Sequence, residues 1–335
     1  MEIKLNSPLD MHLHLRDGEM LGLTVPSSSK TFSGALVMPN LTPPLTSASS
    51  VLEYSGRIKE HSSGDVFTPY MTLFFKNSYT REFLHDIKDK ILAVKLYTAG
   101  ATTNSEDGIS LPIGDDTLEV IGMLEELGIP LSVHGETTGF VLERETEFAA
   151  AYDELASSFP KLKIVMEHIT TTTLAELLGR RENLFATITL HHLLITLDDV
   201  IGGALSPHNF CKPVAKSPRD REALRHLALS AHPKVMFGSD SAPHPRDKKE
   251  SCCGAAGIFH APFALQLLAT IFEGAGKLEN LQGFVSDNAR AIYDIDPPPK
   301  TVVLEKKPFT IPKTCGGVVP FLGGSTLEWS IKEVS

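Results

Sequence analysis

Eight short apolar segments, each rich in β-branched or aromatic residues, constrain the fold of this 335-residue chain more than any other feature. They are 9–15, 34–40, 67–75, 91–97, 129–135, 163–169, 184–193 and 235–240. Stretches with apolar residues at helical spacing lie between them, at 77–90, 115–128 and 219–232. The alternation of strand and helix predicts a parallel sheet, and eight repeats predict closure into an α/β barrel. An open doubly wound sheet is the alternative, but no G-x-G-x-x-G motif follows the first strand.

The C-terminal end of the sequence differs in character from the repeating part. Residues 290–335 contain Pro-rich and Gly-rich runs, which predict irregular decoration that closes with a short strand. A linker-like break occurs at 294–301, too late in the chain to define a second domain. Residues 1–335 are therefore expected to form one domain.

Composition narrows the class of protein. The chain is 42% hydrophobic and carries 31 basic against 41 acidic residues, a formal net charge of −10 that disfavours nucleic-acid binding. The N-terminus lacks the basic and apolar regions of a signal peptide, and no apolar run is long enough to span a membrane. Four cysteines in a chain of this length are expected to be free thiols in a reducing cytoplasm.

Metal-capable side chains occur in or directly after several predicted strands. His12 and His14 share one face of the first strand, His134 and His168 end the fifth and sixth, and Asp240 ends the eighth. Each residue alone has a common structural interpretation as a hydrogen-bonded core group. Because barrel enzymes build their sites at the carboxyl ends of strands, the five together predict a metal site suited to zinc.

Lys95 lies in the middle of the fourth apolar segment, "ILAVKLY". A charged ammonium in a dry core costs several kcal/mol unless it is paired or neutralised. A neutral amine can react with carbon dioxide to form a carbamate, an anion able to bridge two metal ions. The alternatives are a lysine that reaches solvent or pairs with an acid.

Six motifs in order carry a family resemblance. They are "DMHLHLRDG" (10–18), "VMPNLTPP" (37–44), "KLYTAGATTNS" (95–105), "VHGE" (133–136), "EHITT" (167–171) and "GSDSAPHPRDKKE" (238–250). With these motifs the chain resembles the class II dihydroorotases of the amidohydrolase superfamily, from about residue 5 to 330. The resemblance implies a distorted (β/α)8 TIM barrel, a homodimer, and reversible cyclisation of N-carbamoyl-L-aspartate to L-dihydroorotate in pyrimidine biosynthesis.

The resemblance also implies roles for individual residues. It implies two zinc ions, one bound by His12, His14 and Asp240, the other by His134 and His168, with N6-carboxylated Lys95 bridging both. A hydroxide held between the metals would attack the substrate, with Asp240 as general acid and base. The implied substrate contacts are Arg16, Asn40, His134, Lys212, His244 and Ala256, with Lys212 and Ala256 acting through their backbone. Thr102 and Thr103 match a mobile lid loop.

Some points stay open at this stage. Lys212 stands where an apolar residue is expected in relatives, and His191 and His192 are interpreted as structural or supporting groups rather than ligands. A hydantoinase or allantoinase would share the metal cage, while a noncatalytic barrel would have lost it. Zinc, cobalt and manganese occupy similar cages, so the sequence does not fix the metal.

Overall fold

The computed structural model describes all 335 residues, and its centre is an eight-stranded parallel barrel. A short strand β1 (Glu2–Asn6) precedes it. The barrel strands are β2 (Leu9–Leu13), β3 (Gly34–Val37), β4 (Thr68–Phe74), β5 (Ala93–Tyr97), β6 (Leu131–His134), β7 (Ile164–Met166), β8 (Leu184–Ile188) and β9 (Val235–Phe237). Each strand pairs with its sequence neighbours. The amide of Asp240 donates to the carbonyl of His12 at 2.8 Å, and a bridge from Leu13 to Ser241 closes the ring. The predicted barrel is confirmed.

Helices surround the barrel and fill most of the connections between its strands. They are α1 (Leu21–Ser29), α2 (Ala48–His61), α3 (Arg81–Ile87), α4 (Asp115–Leu127), α5 (Arg144–Ser158), α6 (Thr172–Leu177), α7 (Asp198–Ile201), α8 (Pro218–Leu229), α9 (Arg246–Lys249), α10 (Ala264–Gly274) and α11 (Asn288–Tyr293). The helices predicted at 77–90, 115–128 and 219–232 correspond to α3, α4 and α8. At the end of α4, Gly128 has φ 69° and its amide donates to Leu124 and Glu125 carbonyls, a conformation that favours glycine.

Apolar side chains fill the barrel interior away from the carboxyl ends of its strands. Leu9, Met11 and Met236 form a buried cluster inside it together with side chains from other strands. Tyr293 of α11 packs on this cluster, and its hydroxyl lies 3.4 Å from Ser132 Oγ. The polar residues of the strands are therefore concentrated toward the opposite, carboxyl end of the barrel.

The C-terminal part is more regular than predicted, although the predicted closing strand is present. Residues Thr301–Thr310 form β10 and Thr326–Val334 form β11, and both join β1 in a three-stranded antiparallel sheet. Val302 and Leu304 of β10 are buried, and Trp329 of β11 is fully buried. Two things hid these strands in the sequence. The flanking Pro and Gly residues are typical of loops, and a strand that pairs across about 300 residues is marked locally only by alternating apolar residues.

Two further features bear on the class of protein. No helix combines the length and apolar character needed to cross a membrane. All four cysteines are free thiols, with Cys211 buried and Cys252 and Cys253 exposed.

Candidate active site

The carboxyl end of the barrel brings three predicted metal ligands together. His12 Nε2 lies 3.3 Å from His14 Nε2, and Asp240 Oδ1 lies 3.2 Å from His14 Nε2 and 3.6 Å from His12 Nε2. All three side chains are almost completely removed from solvent. Burial alone would raise the pKa of Asp240, yet the hydrogen bond from His14 and the imidazoles of His12 and His14 hold this pKa well below its ordinary value.

The other two predicted histidines form the second half of the cluster. His134 Nδ1 and His168 Nε2 are 3.0 Å apart, and the rings of His168 and His12 have centroids 4.8 Å apart. Burial lowers the pKa of both His134 and His168. All five residues therefore lie in one cluster, and burial lowers the pKa of His14, His134 and His168, which favours their neutral imidazoles.

Lys95 lies among these residues on β5 and is fully buried. Its Nζ has no hydrogen-bond partner and lies 5.1 Å from the centroid of the Tyr97 ring. Burial lowers the pKa of Lys95 to about 8, while Glu167 and Asp240 act in the opposite direction. Neither structural alternative applies, because the amine forms no ion pair and does not reach solvent.

Two glutamates orient the histidines, and sequence reasoning assigned no role to either. His12 Nδ1 donates to Glu167 Oε2 at 2.8 Å, and His134 Nε2 donates to Glu136 Oε2 at 2.8 Å. Each hydrogen bond to a carboxylate keeps the ring proton on the nitrogen that donates it. The other nitrogens, His12 Nε2 and His134 Nδ1, therefore present lone pairs to the centre of the cluster. The signal was visible in the motifs, because Glu167 adjoins His168 and Glu136 follows His134 by two positions.

The donor set fits divalent metal ions. Imidazole nitrogens and a carboxylate oxygen converge within a few ångströms, and the buried amine among them lacks any other partner. Neutral imidazoles whose outer nitrogens bond carboxylates are the usual arrangement of histidine metal ligands. We take these residues as a candidate metal centre.

Glu167→Gln is expected to weaken metal binding about 10- to 100-fold, because the amide can present its NH2 to His12 and favour the wrong tautomer. Titration of the metal-free variant with zinc against a competing chelator measures the change. Glu176→Gln, an acidic residue on α6 outside this site, is the matched control. Unchanged zinc affinity in Glu167→Gln would contradict the orienting role.

Three residues of the site have backbone conformations that the sequence did not reveal. Arg16, His168 and Asp240 have φ values of 59°, 42° and 47°, in the left-handed region that residues with a Cβ rarely adopt. Such residues cost about 1–3 kcal/mol each and persist where the surrounding structure determines them. The strain lies at strand ends and aims these side chains into the barrel mouth.

Arg16 and His244 lie together at the edge of the metal cluster. Arg16 Nη2 is 2.9 Å from His244 Nε2, and Arg16 Nε donates to the Pro243 carbonyl. His244 Nε2 also lies 3.0 Å from the carbonyl of Ala256, and one nitrogen cannot both accept from Arg16 and donate to Ala256. Burial, and to a smaller extent the charge of Arg16, lowers the pKa of His244 to about 3. When His244 Nε2 donates to the Ala256 carbonyl, Arg16 Nη2 has no acceptor on His244. An anion bound beside Arg16 would supply that acceptor.

The predicted lid loop around Thr102 and Thr103 contacts Asn40, which is also a predicted substrate-binding residue. Asn40 Nδ2 donates to the carbonyl of Thr103 at 2.9 Å, and Asn104 Nδ2 donates to the carbonyl of Asn40 at 3.1 Å. The side chains of Thr102 and Thr103 are half-buried and make no hydrogen bond. The loop is thus joined to Asn40 through the Thr103 backbone and the Asn104 side chain, which leaves both threonine hydroxyls available.

The residues left open by the sequence are placed as follows. Lys212 is half-buried and forms no hydrogen bond or ion pair. His192 Nδ1 lies 2.8 Å from Thr189 Oγ1 and its Nε2 donates to the Pro213 carbonyl, so hydrogen bonds occupy both of its nitrogens. His191 Nδ1 lies 3.2 Å from His260 Nε2, outside the metal cluster.

Similarity to known proteins identifies the family. The amidohydrolase family pattern matches residues 87–295. A curated dihydroorotase of Helicobacter pylori is 46% identical over 341 residues and is matched over 100% of both chains. The chain belongs to the dihydroorotase family. It is a cyclic amide hydrolase of the amidohydrolase superfamily, as the six sequence motifs implied.

Solved structures agree with this assignment. The crystal structure of dihydroorotase from Campylobacter jejuni has a TM-score of 0.94 and 51% identity, covering 99% of this chain and 98% of that chain. Dihydroorotase from Saccharomyces cerevisiae, in complex with 5-fluoroorotic acid, has a TM-score of 0.93 and 34% identity over 99% and 98% of the two chains. L-Hydantoinase from Arthrobacter aurescens shares the fold, with a TM-score of 0.83, but only 15% identity over 98% and 83%.

Proposed function

We propose that the protein interconverts N-carbamoyl-L-aspartate with L-dihydroorotate and water at a two-zinc centre in the barrel mouth, in the synthesis of pyrimidines. The observation that carries the proposal is the convergence of five metal-ligand side chains and a buried lysine beside Arg16 and His244. Family membership favours this substrate over hydantoins, whose hydrolases resemble the chain in fold alone. Retention of all the ligands disfavours a noncatalytic barrel.

The donor positions support two metal ions per chain. His12, His14 and Asp240 would hold one ion, and His134 with His168 would hold the other. When bound, two such ions polarise a substrate carbonyl and lower the pKa of water to about 7. Glu167 and Glu136 keep the ligating nitrogens free of protons.

Lys95 is the proposed bridge between the two metal positions. The neutral amine attacks carbon dioxide, forms an N–C bond and releases one proton, which leaves a carbamate with two oxygens. The buried amine has no competing partner, and its lowered pKa increases the neutral fraction near physiological pH. The carbamate also removes the cost of a buried, unpaired cation.

At constant dissolved carbon dioxide, reconstitution of the metal-free protein with zinc should accelerate as the pH rises toward about 8 and then level off. Burial lowers the pKa of Lys95 to about 8, below its ordinary value of 10.5, so the amine is mostly protonated below pH 8. Carbon-13 NMR with labelled bicarbonate measures carbamate formation directly. A rate of carbamate formation that is flat between pH 6 and 8, at constant dissolved carbon dioxide, would contradict this role of the amine.

Asp240 is the proposed general acid and base. Its carboxylate accepts the proton of the attacking water and then donates it to the ring nitrogen as the C–N bond breaks. In the synthetic direction the same carboxylate takes the proton from the carbamoyl nitrogen. Its left-handed backbone conformation and its contact with His14 hold Oδ1 at the centre of the cluster.

The edge of the metal cluster that Arg16 and His244 form suits the substrate carboxylate. Arg16 offers a planar fork for bidentate contact, and His244 and Asn40 add donors. Ala256 and the segment around Lys212 would contribute backbone groups, and His134 would contact the reacting end. The yeast relative was crystallised with 5-fluoroorotic acid, a ring carboxylate of the same class, which supports a ligand of this kind.

Replacing both Thr102 and Thr103 by Ala is expected to lower kcat by more than about tenfold without loss of metal, because the free hydroxyls would bond the substrate when the lid closes. Steady-state kinetics with metal analysis tests this. Thr138→Ala, in a different loop, is the control. Activity within twofold of the parent would exclude a role for the lid hydroxyls.

The decisive test is hydrolysis of L-dihydroorotate by the purified protein, followed by its ultraviolet absorbance. Turnover that is lost after prolonged chelation and returns with zinc is the expected result. Absence of turnover with two metals bound per chain would overturn the substrate assignment, and hydantoins and allantoin would then be tested.

The assembly and location follow from the same proposal. We infer a single-domain protein that acts as a homodimer in the cytoplasm. The dimer rests on the family resemblance, and Phe140 and Leu205, 66% and 70% exposed, are apolar side chains that a subunit interface would bury. Light scattering on the purified protein gives the molar mass, and a monomer would overturn the dimer.

A further inference from the structure

A buried lysine outside the metal cluster links two backbone segments. Lys249 ends the short helix α9, and only 4% of the residue is exposed. Its Nζ donates to the carbonyl of Phe210 at 2.9 Å and to the carbonyl of Gly257 at 2.6 Å. The amide of Gly257 also donates to the Phe210 carbonyl at 2.9 Å. One ammonium thus joins segments that lie about 45 residues apart in the chain.

Both segments belong to the substrate wall of the proposed site. Phe210 precedes Lys212 by two positions, and Gly257 directly follows Ala256. The Ala256 carbonyl is also within hydrogen-bond distance of His244, which in turn contacts Arg16. The position of Lys249 therefore determines where the backbone groups of this wall lie relative to the anion-binding side chains.

The backbone at this point has little freedom to adjust by other means. Gly257 has φ 145°, a conformation that side chains rarely adopt, and a Cβ there would lie 2.2 Å from the Ala242 carbonyl. Gly257 therefore packs directly against the segment that leads to His244. Loss of the lysine contacts would leave the Gly257 carbonyl without a donor and the Phe210 carbonyl with only the Gly257 amide as its donor, which weakens the link between the two segments.

The charge of Lys249 has no carboxylate partner. Its hydrogen-bond acceptors are two neutral carbonyls, and it forms no ion pair. Burial lowers its pKa to about 8, Cys211 opposes this effect and Arg16 adds to it. An unpaired cation beside Arg16 adds positive potential to a wall that receives an anion.

We propose that Lys249 is a positioning residue that holds the backbone around Lys212 and Ala256 in the conformation that binds the anionic end of the substrate. This inference rests on the proposed function. It assigns Lys249 a role in substrate affinity rather than in the chemical step, since it contacts neither the metal ligands nor Asp240.

The test compares Lys249→Met with Lys248→Met, its exposed neighbour on the same helix, in the zinc-loaded protein. Lys249→Met is expected to raise KM for dihydroorotate about tenfold, the effect of the hydrogen bonds lost at the two carbonyls, with kcat within about threefold. Calorimetry should show a similar loss of affinity for orotate, an equilibrium readout that does not depend on turnover. Lys248→Met should match the parent in both measurements.

Thermal melting and metal content are measured for each variant to separate positioning from folding. If Lys249→Met is unfolded at the assay temperature, Lys249→Gln is tested by the same criteria, because its side chain lacks the ammonium and is one atom shorter. Lys249→Arg, which keeps a charged donor, should stay closer to the parent than Lys249→Gln in KM and orotate affinity. A folded Lys249 variant lacking the ammonium with KM and orotate affinity within twofold of the parent would overturn the proposal. So would a variant in which kcat alone falls. Failure of the proposed function can be told apart from failure of the Lys249 proposal, because in the former case the parent protein itself would not hydrolyse dihydroorotate.

Discussion

Lys95→Ala is expected to lose nearly all activity and most of the bound metal. The substitution removes the proposed carbamate bridge between the two metal positions, and Ala offers no anion in its place. The change in kcat should exceed about 1000-fold, since the chemistry depends on both metals. Metal analysis and steady-state kinetics on the purified variant measure both effects.

Chemical rescue makes the Lys95 prediction specific. Short carboxylic acids such as acetate or propionate should enter the space left by the side chain and restore part of the activity. Lys163→Ala, a lysine just before β7 and outside the cluster, should retain activity and needs no rescue. A Lys95→Ala protein with both metals and full activity would show that no carbamate is required.

Asp240→Asn is expected to lower kcat by about 1000-fold in both directions of the reaction, within the range typical of a lost general acid or base. The amide has nearly the same size but cannot accept and return the proton. Its effect should appear in kcat more than in KM, because the proposed partner of the substrate carboxylate is Arg16 rather than Asp240.

Metal content must be measured together with the kinetics of Asp240→Asn, since the carboxylate is also a proposed ligand. The informative comparison is at zinc concentrations that load the variant fully. Asp247→Asn, an exposed residue of α9, serves as the matched control. A fully loaded Asp240→Asn protein with kcat within tenfold of the parent would assign the proton transfer to another group.

Much of the site could be predicted from the order of residues along the chain. Apolar segments of strand character, separated by amphipathic stretches, reflect local periodicity, and a parallel barrel brings the carboxyl ends of all its strands to one face. His12, His14, His134 and His168 could therefore be grouped before their positions were known. Lys95 could be singled out for a different reason, because burying a charge inside an apolar strand costs free energy.

Other features depend on contacts between distant parts of the chain, and no local pattern encodes them. Glu167 bonds His12 across 155 residues, and β10 pairs with β1 across about 300. The left-handed conformations of Arg16 and Asp240 arise because the closing barrel forces the chain to turn sharply where a side chain must face inward. In the sequence, Lys249 is one charge in the solvent-like run "RDKKE". Only the folded chain removes it from water and places two carbonyls around its amine, because burial and hydrogen bonding are properties of the packed structure rather than of the residue.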